Sequence, residues 1–188
     1  MIYKILITII LVSTLSFAQE MDAEAQKMYM ELAQPGTEHD WLAKYAGTWE
    51  QTYTMYASPE SEPMVSVGKA EAEMILGNRF LQSVSRGNMM GMDVESISLF
   101  GFDKRFKKYT LDGYDTMGTY GIHAEGVYDP NLKSIRFRGK NYEPLIKDYV
   151  DYTMTFKFID DDHYNVELIF HFPNGNDMKI MEIESKRI

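Results

Sequence analysis

The hydrophobic period of the chain changes at Thr48, and this change constrains the fold more than any other feature. Beyond it, apolar and polar residues alternate in short segments, most clearly at residues 152–158 and 164–172. A period of two predicts about nine or ten half-buried strands, with no helix between them. Residues typical of turns separate the strands: Gly77-Asn78, Gly87-Asn88, Asp129-Pro130-Asn131, Asp160-Asp161-Asp162 and Pro173-Asn174-Gly175-Asn176.

Short turns join antiparallel neighbours, so this pattern predicts an all-β fold. A meander of this length removes its exposed edges by closing into a barrel. We therefore predict a single antiparallel up-and-down, lipocalin-like β-barrel of about nine to ten strands, preceded by one or two short helices. A barrel of this size is wide enough to hold one small ligand.

The first 18 residues have the layout of a cleaved secretory signal peptide. Lys4 is followed by an apolar run at residues 5–12 and by small residues at Ser16 and Ala18. The run is shorter than the roughly 20 residues that span a bilayer. We expect an exported protein, periplasmic or secreted, that begins near Gln19 and has no transmembrane segment in its mature form.

Two helices are predicted between this segment and the strands. Residues 22–33 are rich in helix-forming residues, and Pro35-Gly36 ends that stretch. A second helix is expected to begin at Thr37, capped by Thr37 with Asp40 in a variant of the capping box. The predicted organisation is a signal peptide at 1–18, a helical segment at 19–36 and the barrel at 37–188.

The composition limits the partners. The net charge is −9, which argues against nucleic acids and anionic lipid surfaces because both require basic patches. The chain has no cysteine, so no disulfide can stabilise it. The oligomeric state is left open.

Three residues resemble the signature of the lipocalins and their calycin relatives. Gly47-Thr48-Trp49 stands at the start of the first strand and follows a short helix. In those barrels the tryptophan packs across the closed end, and an arginine from near the last strand often covers it. The resemblance implies that Arg187 has this role here, through a cation–π contact.

The chain also resembles an uncharacterised bacterial family, domain-of-unknown-function family 1579, which implies a lipocalin-like barrel and no settled activity. In one place it departs from the family pattern: Gly113 and Tyr114 stand where a tryptophan is often found before Asp115. The resembling stretches follow one another through the mature chain: Pro35 to His39, Gly47 to Trp49, Gly68 to Glu73, Gly77 to Leu81, Gly101 to Asp103, Lys107 to Tyr109, Asp115 to Thr119, Glu125-Gly126, Met181 to Ile183 and Arg187.

Seven polar residues are candidates for a ligand site. His39 is read either as a general base or ligand contact at a barrel end, or as a residue that hydrogen-bonds the start of a helix. Asp115, placed at the start of a strand, is expected beside Arg79, where the pair binds a polar ligand or satisfies itself. Four more could line the same space: Gln82, Tyr109, Tyr120 and His123.

No metal or cofactor is predicted. The cluster Met89-Met90-Gly91-Met92 is read as a hydrophobic lip, with Cu(I) binding by its thioethers as the alternative. His171 is a possible haem ligand, but it alternates with Phe170 and Phe172 and is expected to face solvent. The sequence contains none of the common hydrolase, metalloprotease or nucleotide-binding motifs.

Three functions remain open. The first is an exported barrel that binds a small hydrophobic or amphipathic molecule. The second is an enzyme that acts on a small ester or lipid, which requires His39, Asp115 and Arg79 to converge on one cavity. The third is a structural or interaction protein, which requires an exposed apolar stripe at residues 22–33.

Overall fold

The computed structural model describes residues 23–89 and 91–188, which divide between Gln34 and Pro35 into two compact units. The first unit contains helix α1, Ala23–Ala33, and none of its residues is buried. Met28 and Met30 are 49% and 62% exposed, whereas Leu32 is half-buried. The predicted signal peptide at 1–18 lies outside the described residues.

The second unit begins with a short helix and continues with ten strands. Helix α2 is Thr37–Ala43. The strands are β1 Gly47–Met55, β2 Met64–Ile75, β3 Phe80–Met89, β4 Met92–Asp103, β5 Lys108–Asp115, β6 Gly121–Asp129, β7 Ser134–Glu143, β8 Asp148–Phe158, β9 His163–His171 and β10 Asp177–Arg187.

The ten strands form a closed antiparallel barrel in which each strand pairs with the next along the chain. The ring closes between β1 and β10, in a register that runs from Trp49 opposite Arg187 to Met55 opposite Met181. The prediction of an all-β, up-and-down barrel is confirmed, with ten strands. Within the described residues no strand has an unpaired edge, which removes the usual site of edge-to-edge aggregation.

The two ends of the barrel differ. Helix α2 covers one end, the closed end, where Trp41 packs against Tyr109, Tyr128 and Phe158 at ring-centroid distances of 5.6, 5.1 and 4.4 Å. The turns that follow β2, β4, β6 and β8 lie at this end. The turns that follow β1, β3, β5, β7 and β9 surround the other end, which we call the mouth.

The structure corrects three local predictions. Gly87-Asn88 is not a turn but lies within β3, and Asp115 ends β5 instead of starting a strand. Helix α2 is capped one residue earlier than predicted. The Gly36 N–H donates to His39 Nδ1 at 3.0 Å, and the His39 N–H donates to the Gly36 carbonyl at 2.8 Å. The imidazole thus replaces the carboxylate of an ordinary capping box.

Gly87 is in a strand because two backbones and a ring come close together there. It lies opposite Gly68 on β2, beside the Tyr53 ring. A Cβ on Gly68 would lie 2.6 Å from the Arg86 carbonyl oxygen and 2.9 Å from Tyr53 Cε2. A glycine inside a strand commonly marks such a close approach, and here the paired glycines admit the phenol ring.

Candidate ligand-binding cavity

The barrel interior holds a cavity of about 670 Å³ that extends from α2 to the mouth. Its floor includes Trp41, Leu42 and Tyr45 of α2. Because side chains alternate along a strand, every second residue of each strand contributes to the wall. The strands therefore determine which chemical groups the cavity presents.

One side of the cavity is apolar. In a ring of ten strands, strands five places apart face each other, so β8 and β9 lie opposite β3 and β4. Six apolar side chains line the cavity from β7, β8 and β9: Phe137, Met154, Phe156, Val166, Leu168 and Phe170. Phe156 contacts Phe137 edge to face, with centroids 5.6 Å apart, which gives this wall a defined shape.

The opposite side carries a group of hydroxyls, which we call the serine wall. Ser83 and Ser85 of β3 stand directly opposite Ser98 and Ser96 of β4, and all four line the cavity. The Ser85 hydroxyl lies close to the Tyr53 hydroxyl and lowers its pKa, although burial has the larger, opposite effect. The hydroxyls of Ser83, Ser96 and Ser98 have no protein hydrogen-bond partner among residues 23–89 and 91–188. The four serine hydroxyls thus lie across the cavity from the apolar side chains of β7, β8 and β9, which we call the apolar wall.

A buried hydrogen-bond network extends the polar side from the serine wall towards the closed end. The Gln51 amide donates to Tyr164 Oη and to Ser185 Oγ, both at 3.3 Å, and Tyr53 donates to Gln51 Oε1 at 2.5 Å. Burial raises the pKa of Tyr53 to about 12 and also raises the pKa of Tyr164. Both phenols therefore stay neutral over the physiological pH range.

Methionines surround the mouth. Five methionines, each from a different strand or turn, line the cavity at this end: Met55, Met64, Met89, Met117 and Met181. Unbranched thioether side chains adapt to irregular shapes, so such a lip can close around ligands of different outline. Asp115 and Glu143 are the charged residues of the lining, and both lie at the mouth.

Two of the seven predicted ligand residues line this cavity, namely Asp115 and Tyr120. Tyr109 faces inward, but it is buried beyond the cavity floor against Trp41 and Phe102, and burial raises its pKa to about 12. His39 is also buried at the closed end, where its ring meets the edge of Phe102 with centroids 6.2 Å apart. Burial lowers the pKa of His39, so it is a neutral capping residue at pH 7.

The predicted pair of Arg79 and Asp115 is wrong. Arg79 directly precedes Phe80, which pairs with Gly101, whereas Asp115 pairs with Ser96. Five residues along β4 separate these two positions, which is about 17 Å of strand. Arg79 lies in the turn at the closed end and donates to the carbonyls of that turn. The enzyme constellation of His39, Asp115 and Arg79 is therefore not assembled.

The remaining candidates, Gln82 and His123, lie on the outer face. Leu81 and Ser83 line the cavity, so Gln82 between them points outward. His123 forms an ion pair with Asp112, with Nδ1 and Oδ1 2.7 Å apart, and its side chain is 60% exposed. Both predictions failed because a strand reverses its faces with a shift of one residue.

The structure places His171 on the outer face, as its alternation with Phe170 predicts. Its Nε2 lies 2.8 Å from Thr153 Oγ1, and its Nδ1 lies 2.8 Å from Asp177 Oδ1. Among residues 23–89 and 91–188, no three histidine or carboxylate side chains come together as metal ligands would. Over the same residues, no helix is both long and apolar enough to cross a membrane.

Comparison with known proteins agrees with this barrel. A family model described as protein of unknown function, DUF1579, matches residues 34–187. The chain belongs to this family. The match covers α2 and all ten strands of the DUF1579 barrel but not α1. The search of curated proteins found no match to the DUF1579 chain.

A solved structure shares the fold of this DUF1579 protein. The chain is similar to the crystal structure of Rv2717c from M. tuberculosis, with a TM-score of 0.59, 13% identity, and coverage of 82% of this chain and 99% of that chain. A redesigned β-barrel gives a TM-score of 0.40 and 11% identity, with coverage of 78% and 94%. At 13% identity, the likeness to Rv2717c shows the fold alone.

Proposed function

We propose that this protein binds a small amphipathic molecule inside its barrel. The observation that carries the proposal is a cavity with two unlike walls, the serine wall on β3 and β4 and the apolar wall on β7 to β9. A molecule with one polar edge and one apolar face would satisfy both walls. Sites for small molecules combine mainly apolar surface with a few polar groups that fix orientation, which matches this lining.

The size of the cavity supports the same proposal. Its volume of about 670 Å³ lies within the roughly 300–1,000 Å³ typical of pockets for drug-sized ligands. A barrel filled by its own side chains would have ruled out ligand binding. Here the small residues Ser83, Ser98 and Gly113 leave the space in front of the apolar wall open.

We also propose that binding takes place outside the cytoplasm, since residues 1–18 have the layout of a signal peptide. Scavenged or envelope-derived molecules are then the expected source of ligand. Cell fractionation of the full-length chain, with detection of the Gln19 N-terminus by mass spectrometry, tests this part. Recovery of the uncleaved chain in the cytoplasm would contradict it.

The binding proposal is tested with N-phenyl-1-naphthylamine, an uncharged probe whose fluorescence rises in apolar surroundings. We expect saturable binding at a stoichiometry of one per barrel. Ser98→Phe places a ring in the cavity and should weaken binding at least about tenfold, because the added side chain occupies the ligand volume.

Asn165→Phe is the matched control, because Asn165 is exposed on the outer face of β9. This variant should bind the probe as the parent protein does. Equal binding by both variants would place the probe outside the barrel and contradict the proposal. If the probe binds as expected, native mass spectrometry of gently extracted protein should detect the natural ligand. It would appear as an added mass on the parent protein that is absent from Ser98→Phe.

A further inference from the structure

We propose that the cavity selects uncharged amphipaths and rejects anionic ones such as fatty acids. This inference rests on the proposed function and specifies its ligand class. The preferred molecule has an apolar body and a neutral polar group, such as a hydroxyl, ester or amide. Three independent features of the barrel support the selection.

The first feature is the absence of a cation. Among residues 23–89 and 91–188, no lysine, arginine or histidine lines the cavity. A carboxylate taken into such a space loses its hydration and gains no opposite charge. Tyr53 does not compensate for this loss, because it already donates its hydroxyl hydrogen to Gln51. Tyr164 is a neutral hydroxyl and supplies no opposite charge.

The second feature is the charge of the mouth. Asp115 and Glu143 line the cavity at this end. The mouth-side turns and the adjoining strand ends add five further carboxylates, against one lysine, Lys147, and one histidine, His171, which contacts Asp177. The five are Glu60, Glu62, Asp93, Asp148 and Asp177. An entrance lined with carboxylates repels an approaching anion, which lowers its local concentration and its rate of entry.

Basic residues are also present at the opposite end. The turn between β4 and β5 contains Lys104, Arg105 and Lys107, and the turn between β6 and β7 contains Lys133. These cations lie at the closed end, beyond the cavity floor formed by α2. The turn between β8 and β9 at the same end contains Asp160, Asp161 and Asp162, so the closed end carries charges of both signs. Only the charge of the mouth bears on ligand entry.

The third feature is the serine wall. The hydroxyls of Ser83, Ser96 and Ser98 each have one hydrogen to donate and lone pairs to accept, and no described protein group uses them. Neutral hydroxyls match a neutral polar group that both donates and accepts, and such a ligand would complete these bonds.

The test compares two ligands of equal chain length, 1-decanol and decanoate, as competitors of N-phenyl-1-naphthylamine at pH 8. We expect decanol to displace the probe at a concentration at least about tenfold lower, because burial of the unpaired carboxylate is unfavourable. Equal displacement by both would overturn the inference while leaving the proposed function intact. If the parent barrel does not bind the probe, the proposed function itself fails.

A pH series with the parent protein needs no variant and gives a second readout. Decanoic acid should compete better as the pH falls towards the pKa of its carboxyl group, since the neutral acid is the form that fits. Displacement by decanol should stay constant over the same range. If decanoate competition does not improve, the charge of the ligand does not determine binding and the inference is wrong.

A substitution at Ser98 should reverse the preference. Ser98→Arg places a cation in the cavity wall and should strengthen decanoate binding relative to decanol at least about tenfold. Ser98→Gln, which is of intermediate length and neutral, is the matched control and should leave the preference for decanol unchanged. A gain of decanoate binding in both variants would show that side-chain size acts instead of charge.

Discussion

A single arginine joins the first strand, the last strand and the helix at the closed end. The Arg187 guanidinium carbon lies 4.2 Å from the centroid of the Trp49 ring, which is fully buried. Its nitrogens donate to the carbonyls of Ala46, Lys44 and Asp161 at 2.8, 2.7 and 3.0 Å. A planar donor that stacks and forms several bonds at once cannot be replaced by an ammonium group.

We therefore predict that Arg187→Lys lowers the free energy of unfolding by about 2 kcal/mol, through loss of the cation–π contact and of at least one net hydrogen bond. Chemical denaturation measures the difference. Arg86→Lys is the control. Its exposed ion pair with Glu95 is expected to change stability by less than about 1 kcal/mol. Equal effects of the two substitutions would contradict the role given to Arg187.

The capping role of His39 predicts a pH dependence. Burial lowers the pKa of the His39 imidazole in the folded chain below its ordinary value of 6.5. The unfolded chain consequently binds the proton more readily, so the free energy of unfolding falls as the pH falls through and below 6.5. The Asp103 carboxyl has its pKa lowered to about 2 by Arg105 and affects stability only at lower pH.

We predict that the parent protein loses more stability between pH 7.5 and pH 5.5 than His39→Gln does, as measured by urea denaturation at both values. At pH 7.5, His39→Ala should be less stable than His39→Gln, because only glutamine can still accept the Gly36 N–H. The cap is worth about 1 kcal/mol. Identical pH dependence in the parent and both variants would show that His39 does not titrate in this range.

At the scale of elements, α2 determines that one end of the barrel is closed. Leu42 is 2% exposed and forms part of the cavity floor and of the core. Leu42→Ala should cost about 2–4 kcal/mol in unfolding free energy, since buried leucines leave a cavity when truncated. Leu145→Ala provides the control, because Leu145 is 92% exposed in the turn after β7. A loss below about 1 kcal/mol at Leu42 would mean that α2 does not seal the barrel.

The strands could be predicted from the sequence where their inner faces are apolar. On β8 and β9 the alternation is strong, because inward residues such as Met154, Phe156 and Val166 differ sharply from their neighbours. The fold class and the closure of the barrel follow from such strands and from the turn residues between them. The contact between Trp49 and Arg187, expected from the lipocalin resemblance, is also present.

The serine wall could not be predicted in the same way. On β3 the inward residues include Ser83 and Ser85, and the outward ones include Val84, so hydrophobicity gives no reliable sign of the inner face. For this reason the sequence predicts Gln82 inside the barrel, whereas the structure places it on the outer face. Knowledge of the register between β3 and β4 would have placed the four serines opposite one another. The alternation of these two strands does not determine that register.

At the scale of the whole molecule, stability depends on ring closure, since the chain has no cysteine to cross-link it. Removal of residues 177–188 deletes β10 and exposes edges on both β1 and β9. We predict that this truncated chain aggregates and has no cooperative thermal transition, because long open edges pair with other chains. Size-exclusion chromatography and circular dichroism measure both properties.

The control for this truncation is a chain of residues 34–188, which keeps every strand and lacks α1. It should remain monodisperse and unfold cooperatively. A soluble, cooperatively folding protein without β10 would show that nine strands suffice and that closure is not required.

The pairing of β1 with β10 also has a consequence for the time course of folding. Nine of the ten strand pairs join neighbours along the chain, and hairpins of this kind form within microseconds. The tenth brings Trp49 to Arg187, near opposite ends of the barrel sequence, and such distant contacts form slowly. Since synthesis proceeds from the N-terminus, β1 has no partner on its outer edge until the final strand is made. During that interval the sheet has unpaired edges. Its protection from aggregation then depends on other proteins that bind the unfinished chain.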